Sequence, residues 1–280
     1  MKTNDLVADT RASADLTMIR DHLKQLKLLK MDRQLDEVLS WAEKQNQPIL
    51  PVLNRLLEIE ASDLITRRIE RRIKESKLPE RKLLSDFDFD FQTGVDKKQI
   101  MGLATLDFSR HKSVRRKQGI ILAGNSGTGK SHITKALLFI GCQQAYRCRY
   151  TKASDMLRHL MSGLPDDTLD QKLKTYIQPD ILLIDEVGFD RIEQQAAQNA
   201  SLFFKVIDAR YGKSSTWMTT NIGFEAFGDY LGDPVVTTSI VDRMIHHAII
   251  ISVNGPSYRI HESKKLNHSN DNEKSNSDDP

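Results

Sequence analysis

The chain predicts an α/β fold: a parallel sheet flanked by helices, preceded by a small all-α domain. Short apolar runs at 120–123, 147–150, 181–184, 216–219 and 248–252 alternate with helical patterns. Strands without internal alternation, separated by helices, belong to a parallel sheet covered on both faces. Before about residue 82 the apolar residues recur instead at three- and four-residue steps, the period of a helix. At 280 residues the chain has room for about two domains, each long enough to bury a core.

The elements follow in order. Residues 1–15 are polar and mixed in charge and read as a flexible start. Residues 16–84 form the helical domain. Leu16, Ile19, Leu23 and Leu26 mark a first helix and Leu35, Val38 and Leu39 a second; Pro48 and Pro51 then interrupt the pattern. A third helix carries Leu53, Leu56, Leu57, Ile65, Ile69 and Ile73, with Pro79 as its stop. Residues 85–118 connect it to the sheet, with an alternating Asp-Phe run at 86–91 that could lay three aromatics along one side of an extended stretch. A short helix with Ile100, Leu103 and Leu106 follows. Residues 119–260 form the α/β core. Residues 261–280, rich in Asn, Ser, Asp and Lys, form a disordered polar tail.

Charge is distributed unevenly along these segments. Residues 1–118 carry 24 Lys/Arg against 19 Asp/Glu, the core is balanced at 14 against 14, and the tail carries 3 against 5. Within the helical domain, Arg67 and Arg71, and Arg68 and Arg72, stand four apart on one helix face, extended by Lys74, Lys77, Arg81 and Lys82. A second cluster, Arg110, Lys112, Arg115, Arg116 and Lys117, contains no acid. Such local excess points to a polyanionic partner, and duplex DNA bound largely without sequence reading is the expectation. A solvated helix face is the plainer reading of the same charges.

Other classes are excluded. No apolar run approaches the ~18 residues of a membrane span, and the polar N-terminus has no secretory apolar region. Cys142 and Cys148, without metal or redox spacing, read as packed thiols of a cytoplasmic protein.

The chemistry is concentrated in the core. Gly124, Asn125, Ser126, Gly127, Thr128, Gly129, Lys130 and Ser131 match the phosphate-binding pattern G-x-x-x-x-G-K-[ST], between a β-like run and a helical one. Glycines let backbone N–H groups turn inward around phosphates at a helix N-terminus. Lys130 would neutralise the β- and γ-phosphates of ATP and Ser131 would ligate Mg²⁺. An apolar run then ends in Asp185 and Glu186. Asp185 suits Mg²⁺ held through water, and Glu186 suits polarisation of the attacking water, so the pair points to hydrolysis. Asn221, at the end of the next β-like run, could hydrogen-bond a γ-phosphate or form an ordinary strand-end turn. Arg243 and Arg259 are candidates for transition-state arginines or plain helix-dipole partners.

Together, GNSGTGKS, ILLIDE, STWMTTN, DRMIHHA and SYRI resemble the IstB-type ATP-binding proteins of insertion sequences, relatives of the DnaC helicase loaders in the AAA+ class. The stretch DFDFDFQTGVDKKQIMGLATLDF and the preceding RRIERRIKESKLP resemble the same family, so the likeness runs from about residue 16 to 260. The resemblance implies a P-loop AAA+ core and a transposition helper, an ATPase that assembles on DNA as a homo-oligomer and assists a separate transposase. It implies further that Asn221 is the sensor at the end of the fourth core strand and Arg259 the second sensor arginine. Arg243 would reach a neighbouring subunit's nucleotide. Trp217-Met218 and Asn125-Ser126 depart from the family's usual residues without removing a chemical group. Two readings compete: a DnaC-like loader that binds a replicative helicase, and a DNA-bound scaffold that uses ATP only as an assembly switch.

Overall fold

The computed structural model describes residues 2–107, 118–189, 196–261 and 263, and gives no side-chain account of 2–12, 196 and 197. The second basic cluster and nearly all of the polar tail lie outside these residues. Among the described residues, no helix is long and apolar enough to cross a membrane.

The chain forms two compact units, Met1–Glu70 and Arg71–Pro280. The first is built on α1 (Lys2–Gln25), α2 (Leu29–Lys44) and most of α3 (Ile49–Ser76). Helix α1 extends well ahead of the apolar periodicity that begins at Leu16. It ends where Lys27 takes a left-handed φ of 60° and the Leu28 N–H returns to Leu23 O at 2.8 Å. Pro51 lies inside the first turn of α3, where its missing N–H leaves no intrahelical bond unmade. Leu23, Met31, Leu35, Val38 and Leu56 form the unit's core, with Val52 and Ile59 packed against it. Leu53, Leu57 and Ile65 are exposed, so α3 buries only one narrow edge of the apolar stripe its sequence displays. Glu60, 3% exposed, accepts from Lys30 N at 2.9 Å and Met31 N at 3.1 Å. A carboxylate on α3 thereby satisfies free amides at the start of α2.

The unit boundary falls within α3, ahead of the expected position near residue 84. The last turns of α3 belong to the second unit: Ile73 and Ser76 are buried, and Cys142 Sγ donates to Arg72 O at 3.8 Å. The second unit continues through a 3-10 turn (Leu84–Asp86) and α4 (Lys97–Leu103) into the core. It comprises β1 (Gly119–Ala123), α5 (Lys130–Gln143), β2 (Cys148–Lys152), α6 (Ala153–Met161), α7 (Leu169–Ile177), β3 (Ile181–Val187), α8 (Ala196–Arg210), β4 (Ser215–Thr220), α9 (Phe227–Leu231), α10 (Pro234–Ile245) and β5 (Ala248–Ser252). The five strands are parallel in the order β2-β3-β4-β1-β5. One face packs Ile121, Leu182, Ile184 and Met218 against Met156, Leu160, Phe203, Ile207 and Ile240 from α6, α8 and α10. The opposite face is covered by α5, where the Gly141 backbone comes close to Cys148, Ile181 and Leu106. Both cysteines are free and buried. Ile100, Leu103 and Leu106 are buried as their spacing predicts, and the Asp96 side chain caps α4 by accepting from Lys98 N.

A buried cation closes the lower edge of this unit. Arg210, 1% exposed, donates to the carbonyls of Tyr176, Ile177, Pro179 and Ser215 and to Thr216 Oγ1. Burial pushes its pKa down to about 9, so at neutral pH it remains charged, held by carbonyl dipoles at the end of α7.

Candidate functional site

Placing β4 between β1 and β3 brings three strand ends together at the carboxyl edge of the sheet, where open parallel sheets bind ligands. The segments leaving β1, β4 and β3 are the phosphate loop, Asn221 and the Asp185-Glu186 pair.

The loop after Ala123 turns into α5 through Gly129, the N-cap, at a left-handed φ of 89°. A Cβ at Gly129 would stand 2.5 Å from the Phe87 ring, and one at Gly127 would stand 2.1 Å from Ser257 Oγ. These side chains crowd both positions, and the left-handed φ of 81° at Gly127 and 89° at Gly129 is what favours glycine there. Lys130 Nζ donates to Gly124 O at 2.7 Å and Asn125 O at 2.6 Å. Burial lowers its pKa, Asp185 opposes that shift, and the Arg259 charge adds to it.

Asp185 is completely buried and accepts from three hydroxyls. Ser131 Oγ donates to Oδ1 at 2.8 Å, Thr219 Oγ1 donates to the same oxygen, and Tyr150 OH donates to Oδ2 at 3.1 Å. Burial, with Asp185 beside it, raises the Tyr150 pKa far above the ordinary phenol value, so the phenol keeps its proton. Glu186 takes a left-handed φ of 60° where the β3–β4 register breaks between Ile184 and Val187. Its N–H donates to Thr219 Oγ1 at 3.0 Å, and its carboxylate pairs with Lys152 Nζ at 2.7 Å. Thr219 thus links both acids to β4.

Beside these groups lies a cavity of about 290 Å³, lined by residues 126–131 and by Glu186, Thr219, Asn221 and Arg259. The connector supplies much of the remaining wall. Its Asp-Phe run is curled rather than extended, because Asp88 Oδ1 accepts from Asp90 N at 3.1 Å and Phe91 N at 2.8 Å. This turn places Phe87 and Phe91 at the cavity, while Phe89 packs edge-on against Phe87. Gln92 Nε2 donates to Thr128 O at 3.0 Å and Pro256 O at 3.3 Å, tying the connector to the phosphate loop and to the segment that carries Arg259.

Arg243 is not brought to this cavity. It borders a separate groove on α10, donates to Asp208 Oδ1 at 2.9 Å and Ser239 O at 3.1 Å, and covers the Phe204 ring. The basic residues of α3 differ among themselves. Arg67 is committed to Glu60 at 3.0 Å and Asp63 at 2.5 Å, and Arg72 is half-buried beside Glu75 at 3.2 Å. Arg71 approaches Glu75 only to 3.9 Å, and Arg68 and Lys74 are exposed.

Sequence reasoning missed Thr219, Tyr150, Lys152 and the connector aromatics. The available signal was positional: polar residues at or near the tips of strands flanking the acidic one. Only strand order shows which strands those are.

A family model for IstB-like ATP-binding proteins matches residues 21–266. The chain belongs to the IstB-like ATP-binding protein family. It is 32% identical over 239 residues to the ATP-binding protein of insertion sequence IS232 from Bacillus thuringiensis subsp. berliner, covering 85% of this chain and 92% of that one. It is also 32% identical over 243 residues to the corresponding protein of IS21 from Pseudomonas aeruginosa, covering 87% and 89%. The crystal structure of DnaI shares the fold, at a TM-score of 0.51 and 19% identity over 63% of this chain and 90% of that one. This IstB-like chain is therefore an ATP-binding protein whose core shares the fold of DnaI, and the cavity at the phosphate loop is its candidate nucleotide site.

Proposed function

We propose that this IstB-like protein is a Mg²⁺-dependent ATPase that assembles on duplex DNA and assists a transposase. One observation carries the reading. Glu186 and Asn221 border the same cavity as the phosphate loop, whereas Arg243 stands on a different face. A cavity with its own acid but without that arginine suits a site completed by a neighbouring copy.

Lys130 and the loop amides would hold the triphosphate. Mg²⁺ asks for few protein oxygens when phosphates and water supply the rest. The Ser131 hydroxyl beside the buried Asp185 carboxylate fits that demand. Among the described residues there is no cluster of three or more His, Cys, Asp or Glu that could hold a metal, so a cation here would depend on nucleotide phosphates. Glu186 would release Lys152 to orient the attacking water, while Asn221 and Arg259, which line the same cavity, would face the terminal phosphate. The exposed Arg68, Arg71 and Lys74 suit phosphate contacts along a duplex. The insertion-sequence names of the relatives support the transposase as partner.

Sedimentation with and without ATP and duplex DNA tests the reading. Larger species should form when both are present, and Arg243→Ala should lower turnover while sparing nucleotide binding. A fully active monomer at high dilution would overturn the assembly.

A further inference from the structure

We propose that Tyr150 is a positioning residue for the Asp185 carboxylate and thereby sets how tightly the ATP site engages its divalent cation. The inference rests on the reading of Ser131 and Asp185 as the cation-holding pair.

Strand register brings the two side chains together. Tyr150 lies opposite Leu183, and Lys152 opposite Asp185. Residues two apart on a strand share a face, so Tyr150 stands on the Asp185 face, one pleat back, and its length carries the hydroxyl to Oδ2. The ring is held in turn: Lys135 Nζ lies 5.5 Å from its centroid and is anchored to Glu80 at 3.2 Å.

The carboxylate needs such a fix. The terminal torsion of an aspartate is broad and two-fold, so hydrogen bonds rather than a rotamer well set the plane of its oxygens. Oδ1 accepts from Ser131 and Thr219, whereas among the described residues Oδ2 accepts from Tyr150. An ionised carboxylate has about four acceptor sites. With three hydroxyls in place, about one remains for a further donor, such as a cation-bound water. Without the phenol, Oδ2 would be a fully buried acceptor lacking its donor, and the carboxylate would be free to turn away from Ser131. Partners of this kind, one bond removed from a metal ligand, typically alter metal affinity by 10–100-fold when removed.

The test is a Mg²⁺ titration of fluorescent ATP-analogue binding to the full chain, repeated with Mn²⁺ and free-Mn²⁺ spectroscopy. Tyr150→Phe keeps the ring and removes only the hydroxyl. Its binding without divalent cation should match the parent, while its half-saturating cation concentration should rise about tenfold. In an Asp185→Asn background the same substitution should have little further effect. An unchanged cation requirement would overturn the proposal, as would an undiminished effect beside Asp185→Asn. A Tyr150→Phe protein that loses its cooperative melt or its cation-free binding would mark Tyr150 as a packing residue and also overturn it. Lys130→Ala separates the two levels: analogue binding at parental affinity in that variant would mean that the site reading itself fails, whatever Tyr150 does.

Discussion

The carboxyl edge of the sheet and the α3 surface both collect charged residues, yet they treat them differently. At the sheet edge, Lys130 and Asp185 are buried, and each is met by two or three hydrogen-bond partners from the loop or neighbouring strands. On α3, Arg67 and Arg72 are spent on carboxylates of their own unit, while Arg68 and Lys74 stand in solvent. Dense mutual constraint fixes one geometry per residue, and chemistry needs fixed geometry. A solvent-facing cation is fixed only by its helix, which suffices for following a phosphate backbone.

Substitutions at the sheet edge should have the largest effects. Lys130→Ala should lower ATP affinity by at least about a hundredfold, because a charge-assisted partner of the phosphates is removed. Glu186→Gln should bind ATP normally and lose turnover by about 10²–10⁴-fold, as expected when a group that orients and polarises water is removed. Calorimetry and phosphate release distinguish the two variants. If both behave alike, the division of labour between loop and acid is wrong.

Arg210→Met comes next and tests whether constraint extends through the core unit. It strands four carbonyls that the guanidinium now satisfies. A loss of at least about 3 kcal/mol is expected, seen as a fall of roughly 10 °C in Tm. A change within a degree would mean that these carbonyls find other partners.

The smallest effect belongs to α3. Arg68→Ala with Lys74→Ala should weaken binding to two unrelated duplexes alike, by several-fold, and flatten the log–log salt slope by about two. Thermal stability should stay within about 0.5 kcal/mol of the parent. A slope that does not change would remove α3 from the DNA-facing surface. A large loss of stability would make these residues structural, erasing the contrast with the sheet edge.

Legibility in the sequence followed the same division. The strands were visible as short β-like runs, most plainly β1 and the first part of β3, which lie inside the sheet and are apolar at successive positions because both of their faces are covered. The phosphate loop was visible because its glycines and Lys130 answer local demands of turn, helix start and phosphate charge. The apolar stripe of α3 was legible as a helix but misleading as a core. Leu53, Leu57 and Ile65 repeat at helical spacing yet remain exposed, because periodicity does not say how wide a face the neighbouring helices cover. The alternation of the Asp-Phe run suits an extended stretch of connector, and Asp88 accepting two backbone N–H groups curls it instead.

By itself, the sequence determined the order of elements, the phosphate loop and the pair of acids, all of which depend on residues close together in the chain. Tertiary structure decided who meets whom. With β4 between β1 and β3, Thr219 reaches both acids, and the register of β2 carries Tyr150 to Asp185. It also kept Arg243 apart from the cavity that Arg259 lines. Hydrogen bonds between side chains 34 or 35 residues apart leave no local pattern to read. They exist only once hydrophobic burial has set strand order and register, because a one-residue slip would turn each of these hydroxyls to the other face of the sheet.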